Sequence, residues 1–157
     1  MLDLNFVNPF ILAAVEVLQI QCGVKVEGGK PFLKGREPTP PTPIAGVIGL
    51  TSDQFKGAIS LKFEEKVYLH VMTNMLGEEC TQITNENQDG AAELLNMVYG
   101  SAKTQLNAKG YSLQRALPTV VRGSDLQTSV TGATPTIVIP LKADQGFILI
   151  EISVDMA

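Results

Sequence analysis

At 157 residues, with 45% hydrophobic and 18% charged side chains, the chain is long enough for one packed domain over 1–157 and too apolar to stay unfolded. Twelve Lys and Arg against sixteen Asp and Glu leave a formal charge of -4, which excludes the strong basic field that recruits nucleic acid. The nearest approach to a basic cluster, Lys25, Lys30, Lys34 and Arg36, has only Phe32 among it and reads as a solvated surface.

The elements follow in chain order. Asn8-Pro9 reads as a helix N-cap followed by proline at the first helical position, with Gly23 as the stop. Between them FILAAVEVLQIQC is apolar nearly all round, which predicts a deeply packed helix. Its stretch from Phe10 to Ile20, interrupted by Glu16 and Gln19, is about half of what a membrane span needs, so no membrane insertion is expected. Val24 to Leu33 alternates weakly and predicts a strand broken at Gly28-Gly29. Glu37 to Pro43 (EPTPPTP) excludes helix and central strand, because proline fixes φ and lacks a donor. Its overlapping P-x-x-P spacings suit an SH3-like groove, but an extended connection is the simpler reading. IAGVIGLTS and GAISLKF, joined at Ser52-Asp53, predict an antiparallel hairpin. Glu64 to Leu76 has a helical period, with Val67, Val71, Met72 and Met75 on one side and Gly77 as the stop. A longer helix runs from Asp89 to Lys109 and ends at Gly110. LQRALPTVVRG and TPTIVIPLK read as strands, and a tight Ala143-Asp144-Gln145-Gly146 turn leads into FILIEISV.

Written as elements, this is αβββ, α, αβββ. The repeated order predicts an α+β two-layer fold: a mostly antiparallel sheet with helices packed on it, built from duplicated αβββ units with one helix inserted between them.

Most familiar chemistries fail on counts. There is one histidine, so no two-His metal site and no supported Cys-His pair. His70 falls with Lys66, Thr73 and Asn74 on the polar side of its helix and reads as surface. Cys22 and Cys80 match no metal-ligand spacing and read as buried, reduced thiols. No phosphate-binding glycine motif is present. No positive charge precedes Lys25, unlike a secretory signal, and together these features point to the cytoplasm.

The long helix is the informative segment. At about 100° per residue, Ala91, Leu94, Leu95, Val98, Ala102 and Leu106 form the buried stripe. Opposite them lie Asp89, Glu93, Asn96, Gly100, Lys103, Thr104 and Asn107, with Met97 at the edge. Gly100 costs about 1 kcal/mol mid-helix relative to alanine, yet on an exposed face it lets a partner approach closely. Met97 exposes a flexible apolar group suited to adaptable contacts. A carboxylate and a carboxamide one turn apart make no nucleophile, but they can hold a cation and position a water. A merely solvated face would look similar on pattern alone.

Asp89, Glu93-Leu-Leu-Asn96 and Pro118 resemble the signature of the CheC/CheX/FliY chemotaxis phosphatases, an acidic or Ser residue, then E-x-x-N, then a distant proline. NMVYGSAK, GVKVEGGKPFLKG and IAGVIGLTSDQFKGAISLKF are similar to the CheX branch, so the resemblance spans roughly Asn5 to Val154. It implies a hydrolase acting on the phosphorylated aspartate of a CheY-like response regulator. It also implies roles: Glu93 docks against the regulator's active-site lysine, Asn96 orients the attacking water, and Asp89, Met97, Gly100 and Lys103 meet the partner. The metal, Mg²⁺, would belong to the regulator, with none bound by this chain. CheX members are typically homodimers, and an exposed sheet edge offers a seam. CheC members carry a second E-x-x-N on the first helix; here Glu16-Val-Leu-Gln19 stands there, crowded by Leu12, Val15 and Ile20, and a single site is expected. The alternative is a non-catalytic adaptor docking on a regulator or receptor assembly. An unrelated enzyme using Asp89 and Glu93 as an acid pair is weakest, because nothing separates their pKa values.

Overall fold

The computed structural model describes residues 4–123 and 135–156. Three helices, α1 (Leu4–Cys22), α2 (Glu65–Leu76) and α3 (Asp89–Ala108), accompany seven strands. The strands are β1 (Glu27–Gly28), β2 (Phe32–Leu33), β3 (Ile44–Thr51), β4 (Phe55–Phe63), β5 (Thr119–Arg122), β6 (Ile137–Ala143) and β7 (Gly146–Met156).

They form one antiparallel sheet in the order β1-β6-β7-β4-β3-β5, with β2 also on β6. The central pair is β4 with β7, in which Phe63 faces Ile148, Leu61 faces Ile150 and Ile59 faces Ile152. These three pairs are buried at the centre of the sheet's side of the core, flanked by Ile44, Ile48 and Leu50 of β3 and Ile139 and Leu141 of β6. Exchanging the halves α1-β1/β2-β3-β4 and α3-β5-β6-β7 maps β3·β4 onto β6·β7 and β3·β5 onto β6·β1/β2. Each half thus lends its outer strand to the other, which is the αβββ order expected from the sequence with α2 as the inserted helix.

The first helix begins earlier than its proline suggests. Pro9 lies inside α1, where it deletes one intrahelical donor. The turn ahead of it persists because Phe6 and Val7 are buried, with the Phe6 ring against Phe10, Phe55 and Tyr111; a fully buried apolar side chain contributes about 1.5–3 kcal/mol. The full helix has 19 residues and is apolar enough, by length and composition, to cross a membrane. Its apolar side is instead occupied within the fold, where Phe6, Val7, Phe10, Ala13, Ala14, Leu18 and Cys22 enter the core.

The break at Gly28-Gly29 has a cause across the sheet. Gly29 N donates to Pro140 O at 2.7 Å, but Pro140 returns no donor, so the ladder lapses between β1 and β2. A Cβ at Gly29 would also lie 3.0 Å from the Pro140 ring. Past β2, Lys34 Nζ reaches Glu151 Oε1 at 3.0 Å on the face away from the helices. The chain from there to Pro43 therefore crosses the back of the sheet to reach β3. That route gives the proline-rich segment its extended form and half-buries Pro40 and Pro43. Beneath it Lys62 Nζ meets Glu151 Oε2 at 3.1 Å, with both residues buried.

Two expected strands are shorter than their patterns. Of LQRALPTVVRG only Thr119–Arg122 is strand, because the earlier backbone is held by side chains of α3. TPTIVIPLK pairs only from Ile137, and its Thr134 lies outside the described residues. Cys22 is buried as expected, whereas Cys80 is only half-buried; both are free thiols. His70 is partly exposed at the surface, as its place on the polar side of α2 suggests. It lines a polar cleft of about 570 Å³ with Lys25, Glu27, Lys142 and Asp144.

Candidate functional site

Helix α3 is two-sided. Ala91, Leu94, Leu95, Val98, Tyr99, Ala102 and Leu106 are buried, while Asp89, Glu93, Asn96 and Gly100 form an exposed crest. The sheet lets this helix in very close. At Gly46 of β3 an added Cβ would stand 2.6 Å from Ala91 O.

Both ends of α3 are fixed by side-chain contacts to backbone, those at its start from groups that the sequence pattern did not single out. Tyr68, fully buried on α2, donates its hydroxyl to Asn87 O at 2.6 Å, lies 3.1 Å from Gln88 O, and accepts from Ala91 N at 3.1 Å. Ala91 N, a first-turn donor of the helix, shares its hydrogen between this oxygen and Gln88 O at 3.2 Å, so the phenol acts as an added cap from a neighbouring helix. Burial holds this hydroxyl protonated well above the usual phenol range. Arg122 at the end of β5 donates to Gln88 Oε1 at 3.0 Å and Ile83 O at 3.1 Å. At the other end Asn107 accepts from Leu113 N at 2.6 Å and donates to Leu113 O at 3.2 Å, and Tyr99 donates to Gln114 O. Asn107, placed on the outer polar face by periodicity, thus holds backbone rather than facing outward free.

These contacts place Pro118. The chain from Gln114 to Arg122 runs beside α3 from the level of Tyr99 back to that of Gln88. Val120 pairs with Gly46, which lies under Ala91 and Leu95; at about 3.3 Å per extended residue and 1.5 Å per helical one, Pro118, two residues back, falls near the level of Asn96 and Met97. The structure thus brings Glu93, Asn96 and Pro118 to one region of surface, although they are distant in sequence. Gly100 sits one turn beyond Asn96 with nothing within 4 Å of where a Cβ would be. Two expectations need correction. Met97 is half-buried and packs against the core rather than standing exposed, because its flank of α3 turns toward α1. Lys103 is likewise half-buried on the other flank.

Glu93 and Asn96 face solvent on an open helix, and among the described residues neither is hydrogen-bonded to a histidine, cysteine or serine that could become a nucleophile. Among the described residues no group of three or more His, Cys, Asp or Glu side chains is arranged to hold a metal ion. Such a crest can enter another molecule's cleft and present an amide and a carboxylate there. It cannot by itself enclose a small substrate. On α1, Glu16 and Gln19 are exposed, with Leu12 and Ile20 exposed around them.

Residues 44–142 match the chemotaxis phosphatase CheX family. The chain is 27% identical over 147 residues to the CheY-P phosphatase CheX of Thermotoga maritima, covering 93% of this chain and 94% of that protein. A CheC-like superfamily protein from Shewanella sp. PV-4 superimposes with a TM-score of 0.90 at 34% identity, over 98% of this chain and 99% of that one. The fold is shared too with a CheX from Borrelia burgdorferi, solved in complex with CheY, BeF3 and Mg²⁺, at a TM-score of 0.79 and 24% identity over 97% and 99% of the two chains.

Proposed function

The chain belongs to the chemotaxis phosphatase CheX family, and on that premise we propose that the crest of α3 hydrolyses the aspartyl phosphate of a CheY-like response regulator. The observation that carries this is the exposure of Glu93 and Asn96 one turn apart, on a helix clamped at both ends, with Gly100 clearing the next turn. The reaction needs water oxygen to attack phosphorus while the bond from phosphorus to the aspartyl oxygen breaks, giving inorganic phosphate and a carboxylate. Phosphoryl transfer of this kind asks mainly for in-line positioning and charge stabilisation. The regulator's Mg²⁺ and lysine supply the charge. The Borrelia relative's complex fits that division, with BeF3 standing for the phosphoryl group.

In this reading the Asn96 carboxamide accepts a hydrogen bond from the attacking water and fixes its line of approach, with no change of charge. Glu93 pairs with the regulator's lysine and sets the depth of docking. Asp89 adds negative charge at the entrance of the same face, Lys103 and Met97 border it, and Gly100 admits the partner's backbone. The working form is a homodimer joined along a sheet edge, in the cytoplasm, where free thiols such as Cys22 and Cys80 stay reduced.

Substitution separates hydrolysis from docking. Asn96→Ala removes the water's guide and is expected to abolish accelerated dephosphorylation while binding stays within about threefold, since one neutral amide's hydrogen bond contributes little net affinity. Glu93→Lys is expected to weaken binding as well. Unchanged turnover in Asn96→Ala would refute the assignment, and binding without any turnover in the wild-type chain would make it an adaptor.

A further inference from the structure

Among the described residues, Leu117 at 82% exposure, Ile20 at 67% and Leu12 at 61% are three of the most exposed large apolar side chains. Singly, exposed leucines are ordinary. Their positions relative to Glu93 and Asn96 are not.

Helices α1 and α3 pack side by side and run antiparallel, because Phe6 in the first turn of α1 meets Tyr111 just past the end of α3 at 5.3 Å. At the opposite end Asn74 of α2 holds Cys22 O at the close of α1, while Tyr68 of the same helix holds the first turn of α3. Ile20 therefore stands near the level of Glu93. Its direction follows from the other flank of α1, where Ile11 packs at Gly28 on the β1 edge. With that flank toward the edge, Glu16 and Ile20 turn toward α3, and half-buried Met97 lies on the facing flank. Across the crest, Tyr99 points to Gln114, so Asn96 leans toward the segment carrying Leu117 and Pro118.

The result is a polar ridge between two apolar shoulders, Ile20 with Leu12 on α1 and Leu117 on the segment before β5. A specific contact covers about 800 Å² per partner, a patch of about 16 Å radius, and packed helices stand about 8–10 Å apart. A partner seated on Asn96 cannot avoid both shoulders. We propose that Leu117 and Ile20, with Leu12, are the apolar anchors that a receiver domain covers when its phosphorylated aspartate reaches Asn96. This rests on the function proposed above and adds where affinity and partner choice reside: the crest does chemistry, the shoulders hold.

The probe is a CheY-like receiver domain from the same organism that the wild-type chain dephosphorylates. It is used as its BeF3–Mg²⁺ form for binding and as the acyl phosphate for turnover. Leu117→Asp and Ile20→Asp are each expected to weaken binding and raise KM about tenfold, the size of one lost anchor, with kcat falling at most about twofold. Leu4→Asp, an exposed leucine at the start of α1, about 24 Å along the helix from Ile20, is the comparison and is expected to bind as wild type. Should an aspartate variant fail to fold, Leu117→Ser and Ile20→Ser carry the same test. If both shoulder variants bind within twofold of wild type while Asn96→Ala still abolishes turnover, the shoulders are wrong and the crest stands. If Asn96→Ala keeps its turnover, the function proposed above fails, and this inference with it.

Discussion

Adding one methyl at Gly46 should loosen the whole site from the sheet. Gly46 lies on β3 between Leu61 of β4 and Val120 of β5, under the first turns of α3. A Cβ there would come within 2.6 Å of Ala91 O, 3.1 Å of Ala91 C and 3.2 Å of Leu95 Cβ. The two nearest are helix backbone, which cannot rotate away. Ordinary contact begins near 3.4 Å, so α3 must retreat by about 0.8 Å, or the sheet must give by as much. Overpacking of this kind costs about 1–3 kcal/mol, offset by about 0.4–1 kcal/mol from the stiffer unfolded chain. A net loss of about 1–2 kcal/mol lowers Tm by roughly 2–8 °C at this chain length. Gly49, on the same strand, is the control, with nothing within 4 Å of its would-be Cβ. Gly49→Ala should melt within about 1 °C of wild type or slightly above it. Thermal unfolding of the two variants side by side decides the matter. Equal shifts would refute the close approach of α3 to β3.

Tyr68→Phe removes the hydroxyl that caps α3, while Ala91 N keeps Gln88 O at 3.2 Å; a loss of about 1–2 kcal/mol is expected, read from the urea midpoint, and no shift would dismiss the cap. Lys62→Met leaves buried Glu151 with Lys34 as an ion-pair partner, so the cost should be about 2–3 kcal/mol, below that of a fully orphaned buried charge. Burial pushes the Cys22 thiol up to about 11, above its ordinary value of 9.0. The folded state therefore holds that proton more tightly than the unfolded one, and stability falls as pH rises between about 9 and 11. At pH 8 a thiol reagent should label half-buried Cys80 readily and Cys22 only after denaturation; rapid labelling of Cys22 in the native protein would contradict its place in the core.

The sequence revealed most where one rule acted alone. The 3.6-residue period of α3 gave its buried stripe and its crest, and Gly77 does end α2, in a left-handed conformation at φ 73. It misled where tertiary contacts overrode a local rule. Pro9 reads as a helix start, but the aromatic packing of Phe6 extends the helix beyond it. The stretch before Thr119 reads as strand, but Asn107 and Tyr99 claim its backbone. Glu93 and Asn96 could be picked out because their spacing is local. The clamp made by Tyr68 and Arg122 could not, since it depends on which helix and which strand pass the start of α3. The reason for Gly28-Gly29 likewise lies more than a hundred residues away, at Pro140.

The most direct measurement is the decay of a phosphorylated CheY-like regulator from the same organism, followed with and without catalytic amounts of this chain and of Asn96→Ala. Acceleration that saturates with regulator, requires Mg²⁺ and vanishes in Asn96→Ala is the predicted result. Equal acceleration by the variant would contradict the account at its centre.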